Sequence, residues 1–331
     1  MLAALPPNVY NILRAATSAE GRIRPFAGER QESKQSPMTQ SWILIANPVA
    51  GGGRGRAVAE QATLALQAAG QAVELRYTHE KGHGTELARQ AVGERTDRLI
   101  VCGGDGTINE VLPALAGSQT ALGLLPFGTA NDLARALAVP RKIDAAVHCL
   151  LKGQPRAIDL GQVGDRFFAT VAAFGFDAEI SERMANGLVP LSGTAGYLIE
   201  TWRHTARYQA PRVRLRGDFG EIEQEVLQVS IANTRSYGGG LQIAPGADPT
   251  DGLFEVVIID NVPRWTILSV LPRLFTGQHI AHPAVRVERT AKLEIYTKHK
   301  RVVHADGEHL GESPLSIEIC PKALNIVLPP A

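Results

Sequence analysis

The sequence predicts an α/β chain in two parts: an N-terminal α/β domain on a parallel sheet, residues 41–160, and a C-terminal antiparallel β-sandwich, residues 161–317. Three observations predict it. From Trp42 to about residue 155, short apolar runs alternate with helical patterns, as in a parallel sheet covered by helices. From Ala157 onward the runs stay short and β-like and are divided by Gly, Pro and Asp, which suits a sandwich. The length of 331 residues fits two domains at about 150 residues each.

The elements follow in order. Residues 1–40 are rich in Arg, Ser, Gln and Pro, lack a sustained apolar period, and read as a flexible arm, with Met38 a second candidate start. Ser41–Ala46 is the first strand. It runs into Asn47-Pro48, the glycine loop Gly51–Gly55, and a helix from about Arg56 to Ala69. Ala72–Tyr77 is a strand and Thr85–Val92 a helix with Leu87, Ala88, Ala91 and Val92 on one face. Arg98–Cys102 is a third strand, whose cysteine is expected in the core. The helix after it should be distorted at Pro113, which has no amide hydrogen to donate. Leu122–Leu125 is the fourth strand. Ala157–Val163 and Phe167–Ala173 pair about Gly164-Asp165. A helical stretch around Thr194–Tyr208 precedes further β runs from Val213 to Leu328. The last segment, 318–331, is a candidate to pack back on the first domain.

Composition excludes several classes. Lys plus Arg number 34 and Asp plus Glu 33, so the chain lacks the overall basic footprint of a nucleic-acid binder. The three cysteines, Cys102, Cys149 and Cys320, show no CxxC spacing, which argues against a zinc ribbon or disulfide framework. No apolar run reaches the roughly 18 residues of a membrane-spanning helix. The nine histidines form no HExxH pattern, and His79 and His83 are separated by a glycine loop.

The sharpest chemical feature is Gly103-Gly104-Asp105-Gly106-Thr107-Ile108-Asn109-Glu110. A strand ends, glycines turn the chain, and a helix begins, so backbone N–H groups can face an anion. Asp105 in such a place can face phosphate through Mg²⁺, although Gly-Gly-Asp-Gly is also ordinary turn chemistry. Thr107 and Glu110 have capping-box spacing. A second strand, loop and helix start, Leu124 to Leu133, carries Gly128-Thr129-Ala130-Asn131-Asp132, with Thr129 and Asp132 expected to cap one another. Both loops should open on the same sheet edge, where ligands of open α/β sheets bind. The Asn47–Gly55 loop lacks the Gly-Lys-Ser/Thr of a P-loop and the dinucleotide glycine spacing.

Together, Asn47-Pro48, Gly103–Thr107 and Gly128–Asp132 resemble the diacylglycerol kinase catalytic-domain superfamily, in its YegS-type bacterial lipid-kinase branch. The resemblance continues through Ile158-Asp159-Leu160-Gly161, Phe174-Gly175-Phe176-Asp177-Ala178, Tyr237–Gly240, Ala244-Pro245, Asp251-Gly252 and Asp306-Gly307-Glu308, and covers about Trp42 to Pro329. It implies a phosphofructokinase/NAD kinase-like nucleotide domain, then a β-sandwich, with ATP and a lipid between them. It implies nucleotide contacts at Asn47, Thr78, Gly103, Gly104, Asp105, Gly106, Thr107, Ile108, Asn109 and Thr129. It places a Mg²⁺ site at Asp251 with backbone oxygens of Asp248 and Leu253. The bare alternative there is an Asp-Gly hairpin turn. It places the proton acceptor at Glu308, with Asp306 the nearby alternative. Ala50 stands where the family usually has Ser, and His304-Ala305 where it usually has an apolar pair.

The expected function is therefore an ATP- and Mg²⁺-dependent lipid kinase, cytoplasmic and transiently peripheral at a membrane surface, with no nucleic-acid partner and with a homodimer left open. An NAD kinase-like enzyme and a non-catalytic lipid- or nucleotide-binding protein are the alternatives. Arg203, Arg207, Arg212, Arg214 and Arg216, near Trp202 and Tyr208, read either as a contact with anionic headgroups or as a solvated face. The apolar stretch from Trp265 to Phe275 reads either as a lipid entrance or as core.

Overall fold

In the computed structural model, the described residues are 41–185, 199–200, 203–205, 208–263, 265–266 and 270–330. The flexible arm expected over residues 1–40 and most of the helical stretch expected around Thr194–Tyr208 lie outside them.

The first half is built on four parallel strands, β1 (Ser41–Ala46), β2 (Ala72–Tyr77), β3 (Arg98–Gly103) and β4 (Ala121–Pro126), in the order β2-β1-β3-β4. Alternate residues point to opposite faces, and in β1, β3 and β4 both faces are apolar. Ile43, Ile45, Leu99, Val101, Leu122 and Leu124 pack on one side, against the helices His83–Gly93 (α2) and Asp105–Leu115 (α3). Leu44, Ala46, Ile100, Cys102 and Leu125 pack on the other, against Gly55–Ala68 (α1) and Ile143–Lys152 (α5). Each fully buried Leu or Ile contributes roughly 1.5–3 kcal/mol. Cys102 is core, and burial pushes its thiol up to about 12. Because α1 follows β1 on one face and α3 follows β3 on the other, their first turns flank a crevice at the carboxyl ends of these two strands. A short helix, α4 (Asp132–Ala136), follows β4 at the same edge.

Two long strands tie this sheet to the second half. β5 (Gln154–Val163) pairs antiparallel with β15 (Leu315–Leu328), and β15 also meets β4 in parallel and β12 (Lys292–Thr297) antiparallel. β6 (Arg166–Phe168) folds back on β5. The remaining strands are antiparallel: β7 (Val171–Gly175), β8 (Arg212–Gly217), β9 (Gly220–Ala232), β10 (Phe254–Asp260), β11 (Val285–Thr290), β13 (Val302–Ala305) and β14 (Glu308–Glu312). β9 bends between two layers, pairing β8 early and β7 and β10 late, and encloses a core of Phe168, Phe174, Leu215, Ile231, Phe254 and Ile295. Helix α6 (Phe176–Ala185) leaves the end of β7.

Two local expectations are corrected. The Thr107–Glu110 capping box does not form: α3 starts at Asp105, after Gly104, and Glu110 instead accepts a hydrogen bond from the Gly84 amide at 2.9 Å. Thr129 and Asp132 do not cap each other either; Asn131, in the left-handed region, closes the turn through its amide to both the N–H and C=O of Gly128. In both cases the side chain meant for a cap reaches another segment. As for the arginine cluster, Arg212 and Arg214 are paired with Glu221 and Glu223 on the adjoining strand β9, so this part of it is a charge-balanced face.

Candidate active site

The glycine loops meet at the sheet edge because they carry no side chains there. A Cβ on Gly128 would lie 2.4 Å from the Gly104 Cα, and one on Gly51 would lie 2.3 Å from the Phe127 ring. The loops after β3 and β4 thus pack backbone to backbone, and the loop after β1 lies against the Phe127 ring.

A cavity of ≈ 440 Å³ opens in front of that turn. Its polar end holds Asp105, Asn109, Thr129 and Asp132 from the first half and Asp177 and Asp306 from the second. Its walls are largely apolar, with Ile108, Leu133, Met184, Leu241 and Phe275. A second apolar pocket, lined in part by Phe176, Ile243, Val270 and Leu274, shares Tyr237 and Leu241 with it.

The acidic groups are linked to one another and across the two halves. Asp105 accepts a hydrogen bond from the Asp132 amide at 2.8 Å, and the Asp132 carboxylate accepts one from the Gly239 amide at 2.8 Å. Burial, and then the negative charges of Asp132 and Asp306, push Asp105 up to about 6. Burial likewise raises Asp132, against the opposing effect of the Gly239 and Gly238 amides and the Arg135 charge. The Asn109 side-chain amide donates to the Asp306 carbonyl at 3.1 Å, so the first helix of the glycine loop holds the β13–β14 turn.

That turn separates two carboxylates. Asp306, in the left-handed region at φ 51°, turns its carboxylate onto the amides of Ala169 (2.7 Å), Thr170 (3.1 Å) and Val171 (3.3 Å) and the Thr170 hydroxyl. Burial raises its carboxyl, and these donors oppose the rise. It is a fully engaged acceptor that fastens the turn to the start of β7. Glu308 is exposed and makes one ion pair, 2.9 Å to Lys81, whose ammonium it holds above the ordinary range.

The structure therefore brings Asp105, Ile108, Asn109, Thr129 and Asp306 to one cavity, with Glu308 on the turn beside it. Gly103, Gly104, Gly106 and Thr107 shape the loop behind it; the Thr107 hydroxyl sits where a Gly103 Cβ would go. Asn47 and Thr78 lie at the neighbouring strand ends. Asn47 accepts from the Val49 amide at 3.1 Å, and the buried Thr78 donates its amide to the Ala46 carbonyl at 2.9 Å.

Asp248, Asp251 and Leu253 do not line the cavity. Asp248 accepts from Thr250, while Asp251 accepts from the Leu253 amide and pairs with Arg289. The buried Asp159 accepts the Gly252 amide at 2.8 Å and anchors this turn. Asp251 thus already faces one cationic group, the Arg289 guanidinium, and lies away from the cavity.

Sequence reasoning assigned no pocket role to Asp132, Asp177 or Tyr237. The Asn131-Asp132, Asp177 and Tyr237–Gly240 motifs were the available signals.

Residues 41–163 match the diacylglycerol kinase catalytic domain, and residues 170–328 match the YegS C-terminal NAD kinase beta sandwich-like domain. A diacylglycerol kinase of Mycobacterium tuberculosis (strain ATCC 25618 / H37Rv) is 33% identical over 292 residues, covering 86% of this chain and 94% of that one. A Cronobacter sakazakii protein named "Probable lipid kinase YegS-like" is 35% identical over 272 residues, covering 80% and 89%. The crystal structure of a diacylglycerol kinase from Bacillus anthracis str. Sterne superposes with a TM-score of 0.70 at 20% identity, covering 88% and 97%, which establishes likeness of fold.

Proposed function

The chain belongs to the diacylglycerol kinase family and is a lipid kinase, and from that premise we propose that it transfers the γ-phosphoryl group of ATP to a diacylglycerol-like or sphingoid-like hydroxyl, with Mg²⁺ at Asp105 and Glu308 as base. The observation that carries the reading is the convergence of Asp105, Ile108 and Asn109 with Asp306 and Gly307 on one cavity, joined by the Asn109–Asp306 bond, with Glu308 next in the chain.

The residues present fit Mg²⁺. Asp105 is a hard oxygen donor whose ionisation is opposed by burial and by two neighbouring carboxylates, a condition a divalent cation relieves. Asp105 would hold the ion together with phosphate oxygens. Bound there, Mg²⁺ supplies charge neutralisation to the transferring phosphoryl group. The chain's own residues do the rest. The helix start at Asp105-Gly106 presents backbone N–H groups to phosphate. Asn109 holds the turn in register. The exposed Lys81–Glu308 pair, worth about 0–1 kcal/mol, exchanges readily for substrate. As the lipid oxygen bonds to phosphorus and the bond to ADP breaks, the hydroxyl proton passes to Glu308. Asp306, its oxygens occupied, positions Glu308 and leaves the proton transfer to it.

The apolar walls and the second pocket suit an acyl or sphingoid chain. Trp265 (72% exposed), Phe275 (51%) and Ile280 (40%) offer apolar contacts for a transient encounter with a lipid surface. Among the described residues no helix is long and apolar enough to cross a membrane.

The test is ADP release from ATP by the purified chain over a panel of lipids in mixed micelles, with NAD as a competing acceptor and Glu308→Gln as control. Lipid-dependent release that collapses in the variant supports the reading. Release with NAD alone, or none with any lipid by a folded protein that binds ATP, contradicts it.

A further inference from the structure

We propose that Glu182, His304 and His309 form a binding site for a borderline divalent metal ion, Zn²⁺ foremost, which fastens helix α6 to the β13–β14 hairpin. Both imidazoles address the same carboxylate oxygen. His304 Nε2 bonds Glu182 Oε2, and His309 Nδ1 lies 3.5 Å from it. One ligand atom from each residue falls within 4.8 Å of the others. Zn²⁺ bonds of about 2.0–2.1 Å in tetrahedral geometry separate neighbouring ligands by roughly 3.3 Å, so the cluster needs only a small adjustment.

The hairpin is built for the arrangement. A register shift between Val303 and His304 makes His304 and His309 direct cross-strand partners, so both side chains stand on one face with their rings 5.6 Å apart. Glu308 precedes His309 in the strand and pairs with Ala305, on the other face. A metal at the histidines would thus stiffen the turn from behind without occupying the Glu308 carboxylate. On α6, Glu182 lies next to Ser181, which lines the cavity. The ion would join a wall of the cavity to the turn beside it.

His304 is 2% exposed, and among the described residues its buried Nδ1 has no hydrogen-bond partner. Glu182 and His309 are 34% and 43% exposed, which leaves an entry path and room for a solvent ligand in the fourth position. Two imidazoles and one carboxylate select Zn²⁺ over Mg²⁺, which prefers an all-oxygen shell. The proposal stands whether or not Glu308 is the base.

The experiment strips the full chain with a chelator and titrates Zn²⁺ against a chromophoric competitor in excess Mg²⁺, following melting in parallel. The expected result is one Zn²⁺ per chain and a Zn²⁺-dependent rise in Tm. His309→Ala and Glu182→Gln, each at a partly exposed position, should lose at least about tenfold in affinity and show no such rise, with wild-type melting when Zn²⁺ is absent. Failure of the wild type to bind stoichiometrically, or equal binding by wild type and both variants, would overturn the proposal.

Discussion

The turns at Asp251-Gly252 and Asp306-Gly307 share a dipeptide and a glycine in the left-handed region, at φ 75° and 80°. Their surroundings differ. Asp251 meets Arg289 and its own turn, and the buried Asp159 holds the loop, and Asp251 and Gly252 stay outside the lining of the cavity. Asp306 is held from two directions: its carboxylate by residues 169–171 and its carbonyl by Asn109 of the first half. That double anchoring places Glu308 beside a cavity both halves build. An Asp-Gly turn becomes a site through what grips it, and the grip comes from distant sequence.

The largest effect expected from this contrast is on catalysis. Glu308→Gln should lower kcat by roughly 10²–10⁴-fold with little change in Tm, since the lost ion pair is exposed. Asp306→Ala should act first on stability. It strands four donors at the start of β7, a loss of about 3 kcal/mol that urea unfolding would read. Arg289→Ala at the other turn should cost only about 0–1 kcal/mol. If the two turns prove equally costly, the distinction between them fails.

Asp105 gives a pH signature of opposite sign to the usual carboxylate. Its folded pKa, about 6, lies above the ordinary 3.8, so between these values the folded state binds more protons than the unfolded one. This group's contribution to the metal-free protein's stability therefore rises as pH falls from about 7 to about 4, by up to roughly 3 kcal/mol. Mg²⁺ should flatten the profile. Asp105→Asn should flatten it too, stabilise the metal-free protein at pH 7, and abolish Mg²⁺-dependent activity. Chemical denaturation across pH, with and without Mg²⁺, checks the sign.

A smaller effect is expected behind the site. Gly128→Ala forces the β3 and β4 loops apart, for about 1–3 kcal/mol and a raised KM for ATP. Gly252→Ala meets no neighbour within 4 Å among the described residues and should cost only the left-handed strain, about 1–2 kcal/mol, with KM unchanged.

Much of the first half was legible in sequence because its inner strands β1, β3 and β4 are largely apolar and its loops are spelled in glycine. The strand–loop–helix repeats and the opening of the Gly103 and Gly128 loops on one edge follow from local pattern. The capping readings failed because local spacing cannot see a competing partner: Glu110 finds the Gly84 amide, and Asp132 finds Gly239 more than a hundred residues away. The engagement of Asp251 by Arg289 and the grip of Thr170 on Asp306 were invisible for the same reason. The cavity walls draw on Met184 and Leu241, which carry no motif, and on Phe275, from the apolar stretch that read either as a lipid entrance or as core.

The most direct test of the central claim sets Glu308→Gln beside Asp306→Ala, each measured for kcat at saturating lipid and for Tm. The expected result is a kcat loss of at least about a hundredfold at unchanged Tm for the first, and a lowered Tm for the second. A Glu308→Gln enzyme that turns over lipid within a few-fold of wild type would contradict it.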